Sequence, residues 1–189
     1  MAKQTAYGRY LIASVSKGAV WQARAFRKPK SGKRIIASDV AERDSERAAI
    51  DAIRADLDVA RAAKIAARGE SGIPTPEEYL AALKTISITD GQRAMLTAHF
   101  KAPGRTMTAT ELANAAGYKS WSSANSQYGL LARNVAEELE WEPPLHHGVP
   151  VWTFALACEA EQAAGKEELD GQHWKWTLRG ELAEALAAW

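Results

Sequence analysis

Cysteine is nearly missing from this chain of 189 residues: Cys158 stands alone. No internal disulfide can therefore form, and with no basic-then-apolar leader at the start a reducing cytoplasm is the expected compartment. No run approaches about 18 consecutive apolar residues, which leaves no candidate for a membrane-spanning helix and no expected membrane partner. Histidine is scarce too, at positions 99, 146, 147 and 173, without His-x-x-x-His or Cys-x-x-Cys spacing. The one set that can be assembled, His146, His147, Cys158 and His173, is too irregular to be expected to hold zinc. No glycine-rich loop is present to cradle phosphates, and the pairs Glu137–Glu138 and Glu167–Glu168 read as solvated charges rather than as a general acid and base. The expectation is a protein without a catalytic site, metal or cofactor.

Acidic residues are absent from positions 1–38, which hold nine Lys or Arg. Acidic residues exceed basic ones by 10 to 7 over 39–89, basic ones lead by 5 to 2 over 90–133, and acidic ones lead by 11 to 3 over 134–189. The overall balance of +1 thus hides a basic end suited to a polyanion and an acidic end. Of the apolar residues, 38 are Ala, which favours Ala-rich helices over a β-sandwich. The seven Trp are expected to anchor cores or interfaces.

The hydrophobic pattern predicts an α+β protein in two parts. Tyr7–Val15 and Val20–Lys28 are rich in aromatic and β-branched residues around the turn residue Gly18, and Arg34–Ser38 is a shorter third candidate strand. From Ser45 the period becomes helical, with Ile50, Ile53, Leu57, Ala60 and Ile65 on one face up to Gly69. Residues 1–70 are expected to form a basic β-β-β-α unit, a three-stranded antiparallel sheet with a covering helix. Residues 71–87 read as a linker and short helix, and 88–189 as a second domain.

In that second domain Asp90 is placed to cap a helix ending before Pro103, and Thr108 to Glu111 forms a capping box for a short helix. Gly117 then breaks the pattern, and Ser122 or Ser123 is expected to cap a longer helix with the buried stripe Trp121, Ala124, Tyr128, Leu131, Val135 and Leu139. Val151–Ala157 and His173–Leu178 read as an antiparallel pair, and Glu181–Trp189 as a last helix. Helix, short helix, tight turn, longer helix and strand pair is the order of a winged helix-turn-helix. Ala113 suits a close helix crossing, and Gly129 a close backbone neighbour.

Burial of the stripe leaves Ser122, Ser123, Asn125, Ser126 and Arg133 outward, with Lys119 just before them, a set able to contact phosphates and base edges. In the first unit Arg9, Lys17, Arg24, Lys28, Lys30, Lys33 and Arg34 lie on or beside the strands, interleaved with Tyr7, Tyr10, Trp21 and Phe26. A basic sheet of this kind can enter a groove or lie along phosphates. Alternation puts Arg24 and Phe26 on one side and Trp21 on the other. The expected partner is DNA; a protein partner for the acidic region is the other reading, and a homodimer through the Trp-rich C-terminal hairpin or Trp189 is allowed by the sequence.

The segments ITDGQRAMLTAHFKAPGRTMTATELANAAGY, SANSQYGLLARNVAEEL, PVWTFALA and WKWTLRGELAEAL, within residues 88–186, resemble a domain of uncharacterised or restriction-like bacterial proteins that sometimes precedes an HNH nuclease module. The resemblance implies a target-recognition or DNA-binding accessory role in a restriction or mobile-element system of bacterial or phage origin. No His-Asn-His constellation accompanies these segments, so any nuclease chemistry is expected from a partner. The protein-binding reading corresponds to an anti-defence inhibitor or adaptor. In element order alone, the basic β-β-β-α start resembles the arm-type DNA-binding domain of tyrosine integrases.

Overall fold

The computed structural model describes residues 2–27, 34–160 and 174–189, and the chain divides into two units, Met1–Gly72 and Ile73–Trp189. The architecture is α+β, with an N-terminal antiparallel sheet and, among the described residues, six α-helices. None of the helices is long and apolar enough to cross a membrane.

Among its described residues the first unit forms a five-stranded antiparallel sheet with one helix. Its strands are β1 (Lys3–Tyr7), β2 (Tyr10–Lys17), β3 (Val20–Arg27), β4 (Ile35–Ile36) and β5 (Ala41–Arg43), followed by α1 (Glu46–Ala67). The sequence predicts three strands because Gly8 reads as part of the first. In fact Gly8 has φ +54° and begins a two-residue turn that splits the run, pairing Tyr7 with Tyr10. Gly18, at φ +64°, does the same between Lys17 and Val20. Glycine at the first turn position with positive φ matches the right-handed twist of the flanking strands. The third predicted strand shrinks to Ile35–Ile36, and β5, pairing with the other end of β3, has no strong strand signal of its own.

Register fixes two unlike faces. Ile12 lies opposite Ala25 and Ser14 opposite Ala23, and all four are buried. With Ala41 they pack against Ala49, Ile53 and Leu57 of α1. Full burial of an Ile or Leu side chain stabilises by about 1.5–3 kcal/mol, so these few contacts hold the helix in place. The buried Ser14 hydroxyl donates to Glu46 at 2.8 Å, and Lys3 donates to the same carboxylate at 2.9 Å; together they hold its pKa below the ordinary range. The buried stripe of α1 stops at Leu57. Ala60 and Ile65, expected on that face, are exposed, as is Val59 at 70%, because the helix continues beyond the end of the sheet.

The second unit contains α2 (Pro76–Thr85), α3 (Asp90–Lys101), β6 (Thr106–Thr108), α4 (Ala109–Ala116), α5 (Trp121–Leu139), a hairpin of β7 (Leu145–His146) and β8 (Val149–Pro150), β9 (Ala157–Glu159), β10 (Lys175–Leu178) and α6 (Gly180–Ala187). α5 is its axis: Ala124, Tyr128, Leu131, Ala132, Val135, Ala136 and Leu139 are buried in one cluster with Tyr79, Leu83, Met95, Leu96, Leu112 and Leu182. α2 belongs to this core, and its Tyr79 hydroxyl donates to the Ala155 carbonyl at 2.7 Å.

Several boundaries differ from the sequence expectation for local reasons. The side chain capping α3 is Thr89, in a reciprocal box with Gln92, and Asp90 is the first helical residue. α5 is capped by Ser120, which accepts from the Ser123 N–H, so Ser122 and Ser123 fall inside the helix. The expected strand Val151–Ala157 is mostly a 3-10 turn at Trp152–Ala155, and only Ala157–Glu159 pairs with β10. The antiparallel pairing itself is present, widened by β6 into the order β6-β10-β9. His173, at the start of the second expected strand, lies outside the described residues.

One buried imidazole ties these elements together. His99 of α3 is fully buried, with Nδ1 2.7 Å from the Tyr128 hydroxyl and Nε2 2.9 Å from the Trp176 carbonyl. A carbonyl only accepts, so Nε2 carries the proton, and the Tyr128 hydroxyl donates to Nδ1. α3, α5 and β10 are thereby joined through one neutral ring. Burial lowers the His99 pKa below its ordinary 6.5 and raises that of Tyr128.

Two predictions follow from this packing. Below about pH 6.5 the unfolded chain takes up a proton at His99 that the folded ring resists, so stability is full above that value and falls as pH drops below it. The thermal midpoint, followed by circular dichroism from about pH 7.5 to 5, is expected to decline, and His99→Gln to remove most of the slope; an unchanged slope in the variant would contradict the assignment. The second concerns two glycines. Gly117 closes α4 at φ +70°, where Ala costs about 1–2 kcal/mol. Gly129, expected to admit a close neighbour, instead faces open space within α5, so Gly129→Ala is expected to stabilise by about 0.5–1 kcal/mol. Chemical denaturation of the two variants should give opposite signs.

Candidate nucleic-acid interface

With α1 on one face of the sheet, the other is set by the same registers. Gln4, Ala13 and Arg24 lie in one row across β1, β2 and β3; Ala6, Leu11, Phe26 and Ile36 form the next; Val15, Gln22 and Glu42 form a third. The helix α1 lies on the opposite face, against Ile12, Ala23, Ala25 and Ala41. Ile36 is 60% exposed, while Leu11, Val15, Arg24 and Phe26 are half-buried.

The polar members have definite partners except at the centre. Gln22 donates to Glu42, the acidic residue of this face. Arg34 donates to Gln4 at 3.5 Å. The Arg24 Nε is shielded from water and has no hydrogen-bond partner among the described residues. Arg24 and Phe26 share this side, as alternation requires, while Trp21 faces the helix side, where Lys3 lies 5.7 Å from its ring centroid. Arg9 sits in the β1–β2 turn. Lys28, Lys30 and Lys33 lie outside the described residues.

Tyr7 fixes the end of this sheet to α1. Its hydroxyl donates to the Asp58 carboxylate, 2.7 Å from each oxygen, and that bond raises the tyrosine pKa. The Arg54 guanidinium lies 5.5 Å from the Tyr7 ring centroid and donates to Asp51 at 3.2 Å. These contacts lie on the covered side and leave the outer row untouched.

In the second unit the expected residues gather at the start of α5. Lys119, Ser122, Ser123, Asn125 and Ser126 are all exposed. The Ser120 hydroxyl lies 3.2 Å from that of Ser122 and 2.9 Å from that of Ser123, forming a small hydroxyl cluster around the helix start. Arg133 lies two turns beyond Ser126 on the same side but is engaged: it donates to Glu137 at 2.8 Å, and its guanidinium lies 5.4 Å from the Trp152 ring centroid. The exposed side of α5 therefore offers hydroxyls, an amide and the apolar Leu130, with Lys119 as its nearby cation.

Charge divides between the units as well. Residues 1–72 contain 15 Lys or Arg against 8 Asp or Glu, a balance of +7, whereas residues 73–189 contain 9 against 15, a balance of −6. Gln4, Leu11, Gln22 and Ile36 are members of the outer face that the expected set of site residues omits. The signals that place them are two turns and one short pairing: Gly8 creates β1 and places Gln4, Gly18 sets the β2–β3 register that places Leu11 and Gln22, and the β3–β4 pairing places Ile36. No group of three or more His, Cys, Asp or Glu suited to a metal occurs among the described residues. Comparison with known proteins finds no matching family model, no matching curated protein and no matching solved structure.

Proposed function

We propose that the chain is a non-enzymatic DNA-binding protein that engages duplex DNA through the outer face of its N-terminal sheet. The observation that carries this reading is the central row of that face, where Arg24, whose Nε has no hydrogen-bond partner among the described residues, shares a row with Gln4 and Ala13 and is flanked on its strand by Gln22 and Phe26, with Leu11 and Ile36 in the row of Phe26. Arg and Gln side chains are the types that pair with guanine and adenine edges, apolar groups contact the thymine methyl, and β-sheets are known to present such residues to a DNA groove. The balance of +7 over residues 1–72 supplies the sequence-independent attraction.

On the same proposal the second unit is a winged helix-turn-helix. Support comes from its order α3, β6, α4, α5, then the β7–β8 hairpin, β9 and β10, from the left-handed Gly117 turn between α4 and α5, and from the sheet order β6-β10-β9. On this reading the start of α5 reads shape or bases, with Asn125 as its base-pairing side chain. One observation favours a different use of this unit: its balance of −6, with Arg133 tied to Glu137, suits a basic protein partner better than a phosphate backbone. A restriction-like or mobile-element accessory role fits either partner.

Binding of random-sequence duplex DNA, followed by fluorescence anisotropy at low and moderate salt, tests the proposal. The expected result is affinity that falls steeply with salt, and for Arg24→Ala a weakening of about 5- to 100-fold with a salt slope lower by about one. Asn125→Ala is expected to alter sequence preference with little change on random DNA. Absence of binding by the wild type at low salt, or an Arg24→Ala variant that matches it, would contradict the proposal; capture of a protein partner without DNA affinity would favour the acidic-unit reading.

A further inference from the structure

We infer that β1 is a dimerisation edge, and that its occupant is β1 of a second copy of this chain. Among the described residues β1 pairs on one side only, with β2. In a hairpin closed by a two-residue turn, the closing residues form a hydrogen-bonded pair and the pattern then alternates. Tyr7, Thr5 and Lys3 therefore turn their N–H and C=O groups toward β2. Gln4 and Ala6 turn theirs toward the open edge, where no described residue meets them.

Edge strands are usually guarded by Pro, by a bulge or by a charge at the edge. β1 has no Pro or bulge, and its one charged residue, Lys3, is drawn onto the covered face by Glu46 at 2.9 Å. Antiparallel self-pairing with full overlap places Thr5 on a two-fold axis. Gln4 then exchanges backbone hydrogen bonds with Ala6 of the partner subunit, and Ala6 with Gln4 of the partner subunit. On the covered face the opposed side chains are Thr5 with Thr5 of the partner subunit and Lys3 with Tyr7 of the partner subunit. Threonine pairs are favourable in such positions, an ammonium beside an aromatic ring is favourable as well, and no like charges meet.

The neighbouring helix obeys the same axis. Lys3 is bonded to Glu46 and Tyr7 to Asp58, so α1 runs in the direction of β1 and Thr5 lies level with its stretch around Asp51 to Arg54. An open groove of about 480 Å³ lies there between strand and helix, lined by Thr5, Glu46, Arg47, Ile50, Asp51 and Arg54. Two-fold pairing of the strands joins two such grooves. The flank of α1 overlooking them reads Arg47, Asp51, Arg54, Asp58, with the sign alternating at every step. Within the chain Arg47 and Arg54 pair with Asp51, and Tyr7 donates to Asp58; reversal about the axis turns Arg47 toward Asp58 of the partner subunit and Asp51 toward Arg54 of the partner subunit, so no like charges are brought to face each other. This interface does not depend on the DNA reading, and it differs from the C-terminal Trp-rich surface that the sequence alone brings forward.

The register makes the test specific. In a Cys158→Ser background, Thr5→Cys places two thiols directly opposite on a non-hydrogen-bonded pair, where Cα atoms lie about 4.5 Å apart, and mild oxidation is expected to give a disulfide dimer. Gln4→Cys in the same background separates the two Cα atoms by about 8 Å and is expected not to cross-link. Sedimentation of the otherwise unaltered chain should rise with concentration from 20.5 kDa toward twice that mass. Ala6→Pro removes an outward N–H while leaving the β1–β2 ladder intact, so it is expected to hold the protein as a monomer with unchanged circular dichroism. Should that variant misfold, Thr5→Lys sets two ammonium groups opposite each other and is expected to give the same monomer. A monomer at every concentration without Thr5→Cys cross-linking, equal cross-linking at Gln4→Cys, or a dimer indifferent to both Ala6→Pro and Thr5→Lys would overturn the inference.

Discussion

A single helix covers a single face of a sheet, and in the first unit α1 is that helix. Ala49, Ile53 and Leu57 meet Ile12, Ala23, Ala25 and Ala41, and small residues on the sheet allow the close approach that buries them. Because side chains alternate along each strand, every residue that fills this layer forces its neighbour to the opposite side. Arg24 is outward because Ala23 and Ala25 are inward, and Leu11 is outward because Ile12 is inward. The candidate interface is thus a by-product of core packing.

The second unit obeys a different constraint, the need to satisfy polar groups inside a helical core. Its helices surround α5, and the buried His99 ring links α3 to the Tyr128 hydroxyl and to the backbone of β10. The buried Gln92 similarly caps its own helix and donates to the Gln127 carbonyl at 3.3 Å. Such groups cost free energy when left unpaired, so they specify one arrangement of α3, α5 and the small sheet. The surface carried by α5 is then held by a rigid element, while its hydroxyl cluster comes from the cap that starts the helix.

Much of this was legible from sequence, and the misreadings share a cause. The helical stripes of α1 and α5 stand out because they repeat over several turns, and the buried positions from Ala124 to Leu139 agree with the expected stripe. The end of the α1 stripe was not legible: Ile65 keeps the period, but the sheet beneath it has ended. Short strands carry few residues and little period. Hence β5, β6 and the β7–β8 hairpin leave no clear signal in the sequence, and Trp152–Ala155, strand-like in composition, winds into a turn. The outer face was half legible. Alternation puts Arg24 and Phe26 on one side and the Gly18 hairpin sets Leu11 beside them, but Gln4 joins the face only through the turn at Gly8.

The central claim, that the face of the sheet opposite α1 meets DNA, is tested most directly by methyl-labelled NMR during titration with duplex DNA. The account predicts shifts for the methyl groups of Leu11, Val15 and Ile36 and little change for Ile12 and Ile53, which lie in the covered layer. Shifts confined to the second unit, or no shifts in the outer-face methyl groups at saturating DNA, would contradict it.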